Sequence, residues 1–194
     1  MHQRIVFITK KPDVSYENFH LDWNMVHSHL LVPTVNLEGY RQNRPVPAQW
    51  GHGRYDGIAE LFYETAELEQ EAFDSHQSKV IRQHEHSFMV EQATFSALVD
   101  EQVELDGPRT ASRVMSLTGR LENVPRELAS RISVLHLDQP EPQSGSRHVL
   151  SVWTTSEIDA IAVKDALGGE AEGADTYLVT PVNIVTPPDE RLTH

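Results

Sequence analysis

Hydrophobic and polar residues recur along the chain with two periods, and these periods predict its strands and helices. Short runs rich in β-branched and aromatic residues are typical of strands, and longer segments with apolar residues three and four positions apart are typical of amphipathic helices. In the first half these patterns predict strands at residues 4–9, 34–43, 55–64 and 94–104 and helices at residues 16–31, 65–76 and 78–91. This order of strand, helix, strand, strand, helix, strand is that of a ferredoxin-like unit.

The second half repeats this order of elements, although no repeat of residues is visible. Its patterns predict strands at residues 112–117, 132–137, 148–154 and 176–185, with helices at 125–130 and 157–167. We therefore expect an α+β fold made of two tandem ferredoxin-like units, with domains at residues 1–106 and 107–187 and a mobile tail at 188–194. The Pro- and Gly-containing loop at residues 44–53 interrupts the first unit and is a candidate lid over a site.

The first predicted helix carries the most informative pattern of the chain. Its apolar stripe consists of Phe19, Trp23, Val26 and Leu30. At about 100° per residue, His20 and His27 fall in the same arc as Trp23. Two ionisable rings on the inward face of a helix, with an indole between them, point to a functional site there.

Composition and charge exclude several classes of protein. The 194 residues are 39% hydrophobic and 23% charged, which is typical of a globular chain, and the formal net charge of −13 argues against nucleic acid or an anionic membrane surface as a partner. The sequence has no cysteine, which removes disulfides, thiolate metal sites and cysteine nucleophiles. No apolar run reaches the roughly 20 residues of a membrane-spanning helix, and the polar N-terminus differs from a signal peptide. We expect a cytoplasmic protein.

Eleven histidines raise the question of a metal site. His20 and His27 lie roughly 10 Å apart along a helix, and pairs spaced by two, such as His27 with His29, point in different directions. The sequence contains neither a helical His-Glu-x-x-His motif nor a glycine-rich phosphate loop. The prediction is therefore no metal and no cofactor.

Three segments of the first half together form a recognisable pattern. The first is Phe19-His20-x-x-Trp23-x-x-x-His27-x-x-Leu30, the second is Gly39-Tyr40-x-x-Asn43, and the third is Tyr55-Asp56-Gly57-Ile58-Ala59-Glu60-Leu61-Phe62. Over residues 1–105 this combination resembles the EthD domain family. The resemblance implies a dimeric α+β barrel with a cleft between sheet and helices. Members of that superfamily include polyketide dehydratases, decarboxylases and cyclases, lactone isomerases and monooxygenases, several of which use no cofactor. The second half lacks these motifs, so we expect a degenerate copy.

One position departs from the family pattern. An Asp-Glu pair commonly precedes the Phe of the later helix, whereas this chain has His84-Glu85 before Phe88. If that Asp is the partner of the helix histidine in relatives, the acid–base pairing differs here. We therefore include His84 among the candidate residues.

His27, His20 and Tyr40 are the candidate catalytic residues. An imidazole can take or give a proton near neutral pH, and a phenol or amide such as Tyr40 or Asn43 can hold a developing oxyanion. The alternative for each is an ordinary role as a hydrogen-bonded residue of the core or of an amphipathic strand.

Five further residues are candidates for binding the substrate, in addition to His84. Trp23 and Phe62 can pack against a ring system, Asn43 can bind an oxygen, and Asp56 and Glu60 can orient a histidine or hold a hydroxyl. The alternative for each of these residues is an ordinary structural role, either in the wall of the core or on a solvated strand face.

Taken with the EthD resemblance, these candidates predict a cofactor-independent lyase or isomerase, such as a dehydratase, decarboxylase or cyclase, acting on a hydrophobic aromatic or polyketide-like molecule. Two alternatives stay open: a non-catalytic accessory protein that binds a small molecule, and a haem- or oxygen-using barrel monooxygenase. Barrel closure within one chain and pairing across a homodimer are both compatible with the sequence.

Overall fold

A computed structural model describes residues 1–168 and 175–191. The contacts between its residues divide the chain into two compact units. Unit 1 consists of Met1–Asn43, Tyr55–Ser96 and Val182–His194, and unit 2 consists of Arg44–Arg54 and Ala97–Pro181. The fold is mixed α+β, as predicted. The domain boundary at residues 106–107 stays a prediction.

Unit 1 contains a three-stranded antiparallel sheet in the order β1-β3-β2, covered on one face by helices. The strands are β1 (His2–Ile8), β2 (Gly39–Pro45) and β3 (Gly57–Tyr63). The helices are α1 (Tyr16–Leu21), a π turn (Asp22–His27), α2 (Ser28–Leu31), α3 (Ala66–Asp74) and α4 (His76–Phe88). Short 3₁₀ turns lie at Glu91–Ala93 and Pro188–Glu190.

Local residues explain where the helices of unit 1 begin. Ser15 caps α1 by accepting a hydrogen bond from the Asn18 amide, and Thr65 caps α3 in the same way. Ser75 ends α3 and also caps α4, which separates the two helices as the sequence predicts.

The predicted strand at residues 34–43 is wrong in its first half. Residues 34–38 form turns, and β2 begins only at Gly39. Pro33 restricts the backbone at the start of this segment, and Asn36 adopts a left-handed conformation with φ of 63° that a strand cannot accommodate.

Unit 2 contains an antiparallel sheet in which β4 pairs with β6, β6 with β7, β7 with β5 and β5 with β8. The strands are β4 (Phe95–Leu105), β5 (Ser112–Ser116), β6 (Ala129–Leu137), β7 (His148–Thr154) and β8 (Thr176–Val185). Helix α5 (Glu157–Ala166) packs against β5 and β7. Short 3₁₀ turns lie at Pro47–Gln49, Leu121–Asn123 and Arg126–Leu128.

The predicted helix at residues 125–130 is wrong. Only the 3₁₀ turn at Arg126–Leu128 forms there, and β6 already begins at Ala129, which pairs with Thr154. The last residues of the predicted helix therefore belong to a strand that pairs with β7.

The candidate lid at residues 44–53 is anchored within unit 2. The Val46 amide donates to the Leu178 carbonyl, and Arg54 pairs with Glu141 and Asp175 at 2.8 and 2.9 Å. In the predicted mobile tail, Glu190 pairs with Arg41, and Arg191 bonds to Glu38. Leu192, Thr193 and His194 lie outside the described residues, so mobility of the tail stays a prediction.

Candidate functional site

The buried face of the first helix, residues 16–31, positions the candidate site. Its π turn is an unusual element that is frequent at functional sites. Residues in a π turn advance by less than the ~100° of an α-helix, and Val26 lies outward with 45% of its surface exposed. The apolar stripe predicted through Val26 is therefore wrong at that residue. His20, Trp23 and His27 are buried, as the helical pattern indicates.

Gln42 of β2 connects the π turn to the sheet. Its amide nitrogen lies 2.9 Å from the Trp23 carbonyl, 3.0 Å from Ser28 Oγ and 2.8 Å from the Tyr40 hydroxyl. Because an amide nitrogen carries two hydrogens, these three acceptors share them. The shared contacts place Tyr40 and the π turn next to one another.

A cavity of about 540 Å³ lies in unit 1 and is bordered by the sheet, the first helix, α3 and α4. This volume lies within the usual range for small-molecule sites. Its apolar lining includes Val6, Ile8, Leu31, Ala59, Leu61 and Ile81. Its polar lining includes His27, Thr34, Tyr40, Arg82 and Glu85. The cavity therefore suits an apolar molecule that carries a few polar substituents.

Two of the nine sequence-predicted site residues line this cavity, namely His27 and Tyr40. His27 is 4% exposed, and its Nε2 lies 3.8 Å from Oε1 of Glu85, which is longer than a hydrogen bond. Nδ1 of His27 has no hydrogen-bond partner among residues 1–168 and 175–191. The imidazole thus approaches an acid on one side and keeps a polar atom unsatisfied on the other.

Burial lowers the pKa of His27 to about 4, and repulsion from the nearby His84 adds to that effect. His27 is therefore neutral at pH 7 and can accept a proton. Burial also raises the pKa of Glu85, with a further contribution from Glu91, while Arg82 and His86 act in the opposite direction. The shifts in pKa therefore favour the neutral forms of both His27 and Glu85. Shifts of this kind are common among groups that exchange protons at an active site.

His84 lies beside His27 without lining the cavity. The two imidazoles stack with their centroids 5.9 Å apart, and Phe88 packs against both rings. Nδ1 of His84 is buried, and no described residue bonds to it. His84 therefore contacts His27 through ring stacking.

His20 and Trp23 are part of the aromatic packing above the sheet. Trp23 stacks on Phe19 at 5.7 Å, and the His20 ring lies 5.1 Å from that of Phe19 and 6.2 Å from that of Trp23. Neither residue lines the cavity. Trp23 presses on Gly57 so closely that a Cβ atom there would lie 2.7 Å from the indole.

Asn43, Glu60 and Phe62 lie on the opposite face of the sheet, because side chains alternate along β2 and β3. Glu60 is 1% exposed and accepts hydrogen bonds from Gln3 at 3.0 Å, Asn43 at 2.9 Å and Arg41 at 3.3 Å. The Arg41 guanidinium lies over the Phe62 ring at 5.6 Å. The alternative interpretation of a solvated strand face therefore does not hold at Glu60.

Asp56 precedes β3 and does not join Glu60. Its carboxylate accepts a hydrogen bond from the Lys10 amide at 2.8 Å and interacts with the Tyr16 hydroxyl. Burial raises the pKa of Asp56, and the bond from Lys10 opposes that rise. Asp56 thus ties the end of β1 to the first helix.

Sequence reasoning left Glu85, Thr34 and Arg82 out of the site. Glu85 stood in a recognisable motif beside His84, so its proximity to His27 could have been proposed from the paired histidines on two helices. Thr34 was not considered because the sequence pattern placed it at the start of a strand. In the part of the chain that the structure describes, no three His, Asp or Glu side chains group in a way that could hold a metal ion.

Comparison with models of protein families identifies the domain in the first half of the chain. The EthD domain model matches residues 11–92. This segment is an EthD domain. The predicted resemblance is thereby confirmed, and the candidate cavity lies in the unit that contains this domain. A comparison with curated proteins gives no match.

Solved structures resemble the chain over nearly its whole length. An anthrone oxidase-like protein has a TM-score of 0.53 at 9% identity, covering 98% of this chain and 97% of that one. A proposed monooxygenase from Fusobacterium nucleatum has a TM-score of 0.52 at 8% identity, covering 93% and 91%. A proposed chlorite dismutase has a TM-score of 0.51 at 11% identity, covering 94% and 95%. At such identities the likeness concerns the fold alone.

No helix among the described residues is long and apolar enough to cross a membrane.

Proposed function

We propose that the unit 1 cavity binds a hydrophobic aromatic or polyketide-like molecule and that His27 transfers a proton to or from it in a lyase or isomerase step. The observation that carries this proposal is the neutral, buried imidazole on an apolar cavity, with the Glu85 carboxyl 3.8 Å away. A largely apolar pocket that places an imidazole beside a carboxyl group suits proton transfer.

The low basicity of His27 limits the kinds of proton that it can abstract. A base whose conjugate acid has a pKa of about 4 is weak, so it abstracts a proton best from an activated carbon whose carbanion is delocalised onto a carbonyl group and aromatic rings. If a ligand draws the Glu85 carboxylate closer, its negative charge raises the pKa of His27 and strengthens the base. Glu85 then stabilises the imidazolium and passes the proton onward.

Tyr40 is the proposed binder of the substrate oxygen because it also lines the cavity. A phenol can donate a hydrogen bond to an enolate as charge develops. His84 tunes His27, and His20 and Trp23 support the aromatic layer behind it. Substrate contacts of Asn43, Asp56, Glu60 and Phe62 stay predictions that this cavity does not support. The step as proposed requires no metal or organic cofactor.

We also propose the finer architecture, in which two tandem ferredoxin-like units close one barrel within a chain, with the second unit lacking a site of its own. Native mass spectrometry tests this proposal and the possible homodimer together. A species near 22.0 kDa supports internal closure, and one at twice that mass supports pairing of two chains. A cytoplasmic location stays a prediction.

A second candidate function is oxidation of an aromatic substrate by molecular oxygen. The full-length fold likeness to an anthrone oxidase-like protein and to a proposed monooxygenase favours it. A haem-dependent form of this activity would show a Soret absorption band in the purified protein. A non-catalytic accessory protein is the third reading, and it predicts binding without turnover.

Anthrone separates these three functions as a single probe. Under argon in D₂O, proton transfer by His27 moves a C10 proton to the base while the carbonyl becomes an enol, and reversal introduces deuterium at C10. In air, oxidation would convert anthrone and O₂ into anthraquinone and water. Deuterium exchange without anthraquinone supports the leading function, anthraquinone formation supports the second, and binding alone supports the third.

Substitution of His27 tests the base directly. We expect His27→Ala to lower the exchange rate about 10²-fold or more, and Glu85→Gln to lower it by a smaller factor. His29→Gln is the matched control, since His29 is an exposed histidine of the same helix. Equal exchange rates in wild type and His27→Ala would refute the assignment of His27 as the base.

A further inference from the structure

The π turn at Asp22–His27 determines how the first helix presents His27 to the cavity. In a π turn the backbone bonds link residues five apart, so each residue rotates by less than the ~100° of an α-helix. Residues within and after the turn are therefore placed differently from their places in a continuous α-helix, as the outward Val26 shows. Both His27 and Leu31, which follows the turn, line the cavity. A group that fixes the π turn thus fixes the position of His27.

The carbonyl of Trp23, within this turn, is held by two side chains. Ser28 Oγ donates to it at 3.1 Å, and Gln42 Nε2 donates to it at 2.9 Å. Ser28 comes five residues after Trp23, so its hydroxyl spans the same separation as the backbone bonds of a π turn. A carbonyl oxygen has two lone pairs and can accept both bonds. The two donors therefore stabilise the wide turn at its Trp23 carbonyl.

Gln42 joins this turn to the sheet. It lies in β2, pairs with Ala59 of β3 and is fully buried. Its side chain shares the helix-covered face with Tyr40, two residues earlier, and its amide nitrogen lies 2.8 Å from the Tyr40 hydroxyl. Because the Trp23 carbonyl can only accept a hydrogen bond, the nitrogen of the amide, and not its oxygen, must point toward the turn. One amide thus fixes the turn that carries His27 relative to Tyr40, the other proposed reaction group.

The bonds of Gln42 contribute geometry as well as stability. Its neighbours Trp23, Tyr40 and Ala59 belong to the hydrophobic core of unit 1. A methionine of similar length would be buried there without the desolvation that an amide undergoes. Buried hydrogen-bond networks hold their members in one defined arrangement, which is what two groups that act on the same substrate require.

We infer that Gln42 is a positioning residue, which holds the π turn against β2 and thereby directs His27 and Tyr40 at the same substrate. Gln42 is not among the residues that line the cavity, so it acts through these two residues and not by contact with the ligand. This inference rests on the proposed function and deepens it by naming the residue that aligns its two reaction groups.

Gln42→Met tests this role through the kinetics of deuterium exchange into anthrone. Methionine keeps the length of the side chain and removes both hydrogens that the amide donates. We expect kcat to fall about tenfold because His27 and Tyr40 lose their alignment, while KM changes by less than about twofold because no lining residue is removed. Gln3→Met is the matched control, since Gln3 lies in β1 of the same sheet and bonds to Glu60 on the opposite face. An equal kcat in the two variants, with exchange that depends on His27, would overturn the inference.

Ser28→Ala is a milder change at the same anchor and covers the case in which Gln42→Met folds poorly. It removes one of the two donors to the Trp23 carbonyl and also a partner of Gln42, whose amide nitrogen lies 3.0 Å from Ser28 Oγ. We expect kcat to fall about threefold, because one donor to the carbonyl remains. A kcat equal to that of wild type would mean that this anchor does not position His27, which contradicts the inference.

Proton NMR of the His27 ring gives a readout that does not depend on turnover. The ring lies 5.6 Å from that of Phe88, at an angle of 65°, so its proton signals respond to the ring current of the phenyl group. We expect these signals to move in Gln42→Met and to stay in place in Gln3→Met. A purely structural role of Gln42 would lower stability and leave the signals where they are, and that result would overturn the inference.

The outcomes for Gln42 and for the proposed function can be told apart. Displaced His27 signals in Gln42→Met, with no deuterium exchange into anthrone by wild type, support Gln42 as the anchor of His27 and refute proton transfer. Exchange that depends on His27, with a kcat and His27 signals that do not respond to Gln42→Met, supports proton transfer and refutes the positioning residue.

Discussion

The two faces of the β1-β3-β2 sheet bury polar side chains in opposite ways. On the face without helices, Glu60 accepts three hydrogen bonds, and Arg41 pairs with both Glu60 and Glu190. On the helix-covered face, buried polar atoms lack partners among residues 1–168 and 175–191. These atoms are Trp23 Nε1, His27 Nδ1, Thr34 Oγ1 and His84 Nδ1.

This difference separates buried polar groups that the fold stabilises from buried polar groups that the fold leaves unsatisfied. Burial disfavours the charge on Arg41, yet Glu60 and Glu190 together raise its pKa, so the network stabilises its own charges. On the other face burial lowers the pKa of His27, and no partner restores it. Of the unsatisfied atoms, those of His27 and Thr34 belong to residues that line the cavity, whereas the satisfied network lies outside it.

The largest loss of stability is expected from disrupting the hydrogen-bonded network on the face without helices. Glu60→Ala should lower the free energy of unfolding by about 3–5 kcal/mol, because it leaves the charge of Arg41 incompletely paired and Asn43 without its main acceptor. Urea denaturation measures this loss. Glu60→Gln preserves the shape and most hydrogen bonds and should cost clearly less. If both variants matched wild type, the network would contribute nothing to the fold.

Acidification should destabilise the protein through the buried His27 on the helix-covered face. Its pKa is about 4 when folded and near 6.5 when unfolded, so the unfolded chain binds the proton more tightly and stability falls as pH drops from 6.5 toward 4. At about 1.4 kcal/mol per pKa unit, this loss is about 3 kcal/mol. Urea denaturation of wild type and His27→Gln at several pH values isolates it.

The control for that experiment is the exposed His29. Because both wild type and His29→Gln keep His27, their stability should depend on pH in the same way. Parallel pH curves for wild type and His27→Gln would show that His27 titrates normally in the folded state, contrary to its burial.

Packing on the helix-covered face predicts a smaller effect. Gly57→Ala places a methyl group where the Trp23 indole already lies, at 2.7 Å, and should lower the free energy of unfolding by about 1–3 kcal/mol. Adding Trp23→Phe, which removes the larger ring, should recover part of the loss in a double-mutant cycle. Simple additivity of the two substitutions would argue against this contact.

The smallest effect concerns the electrostatics around the cavity. Burial and then Glu91 raise the pKa of Glu85, so Glu91→Gln should shift that pKa toward its ordinary value. Carbon NMR of the Glu85 carboxyl during an acid titration measures the shift. Glu122→Gln, far along the chain and exposed, serves as the control. An unchanged pKa in Glu91→Gln would place the cause of the shift in burial alone.

Several sequence predictions depend on local rules and are confirmed for that reason. The separation of α3 from α4 and the burial of His20, Trp23 and His27 follow from side-chain geometry within a few residues. The EthD resemblance rests on motifs of the same short range. The wrong predictions, namely the strand over residues 34–38, the helix at 125–130 and the inward Val26, arise where a turn, a strand partner or a π turn overrides the local pattern.

The sequence by itself determined that this chain is a mixed α+β protein whose first helix buries two histidines, because periodicity and capping are written into neighbouring residues. Only the tertiary structure decided which candidates share a site. Strand alternation and register place Tyr40 with His27 on one face and Asn43 with Glu60 on the other, and helix packing brings Glu85 to His27 across 58 positions of sequence. Such proximity depends on long-range packing, and no short segment of sequence contains it.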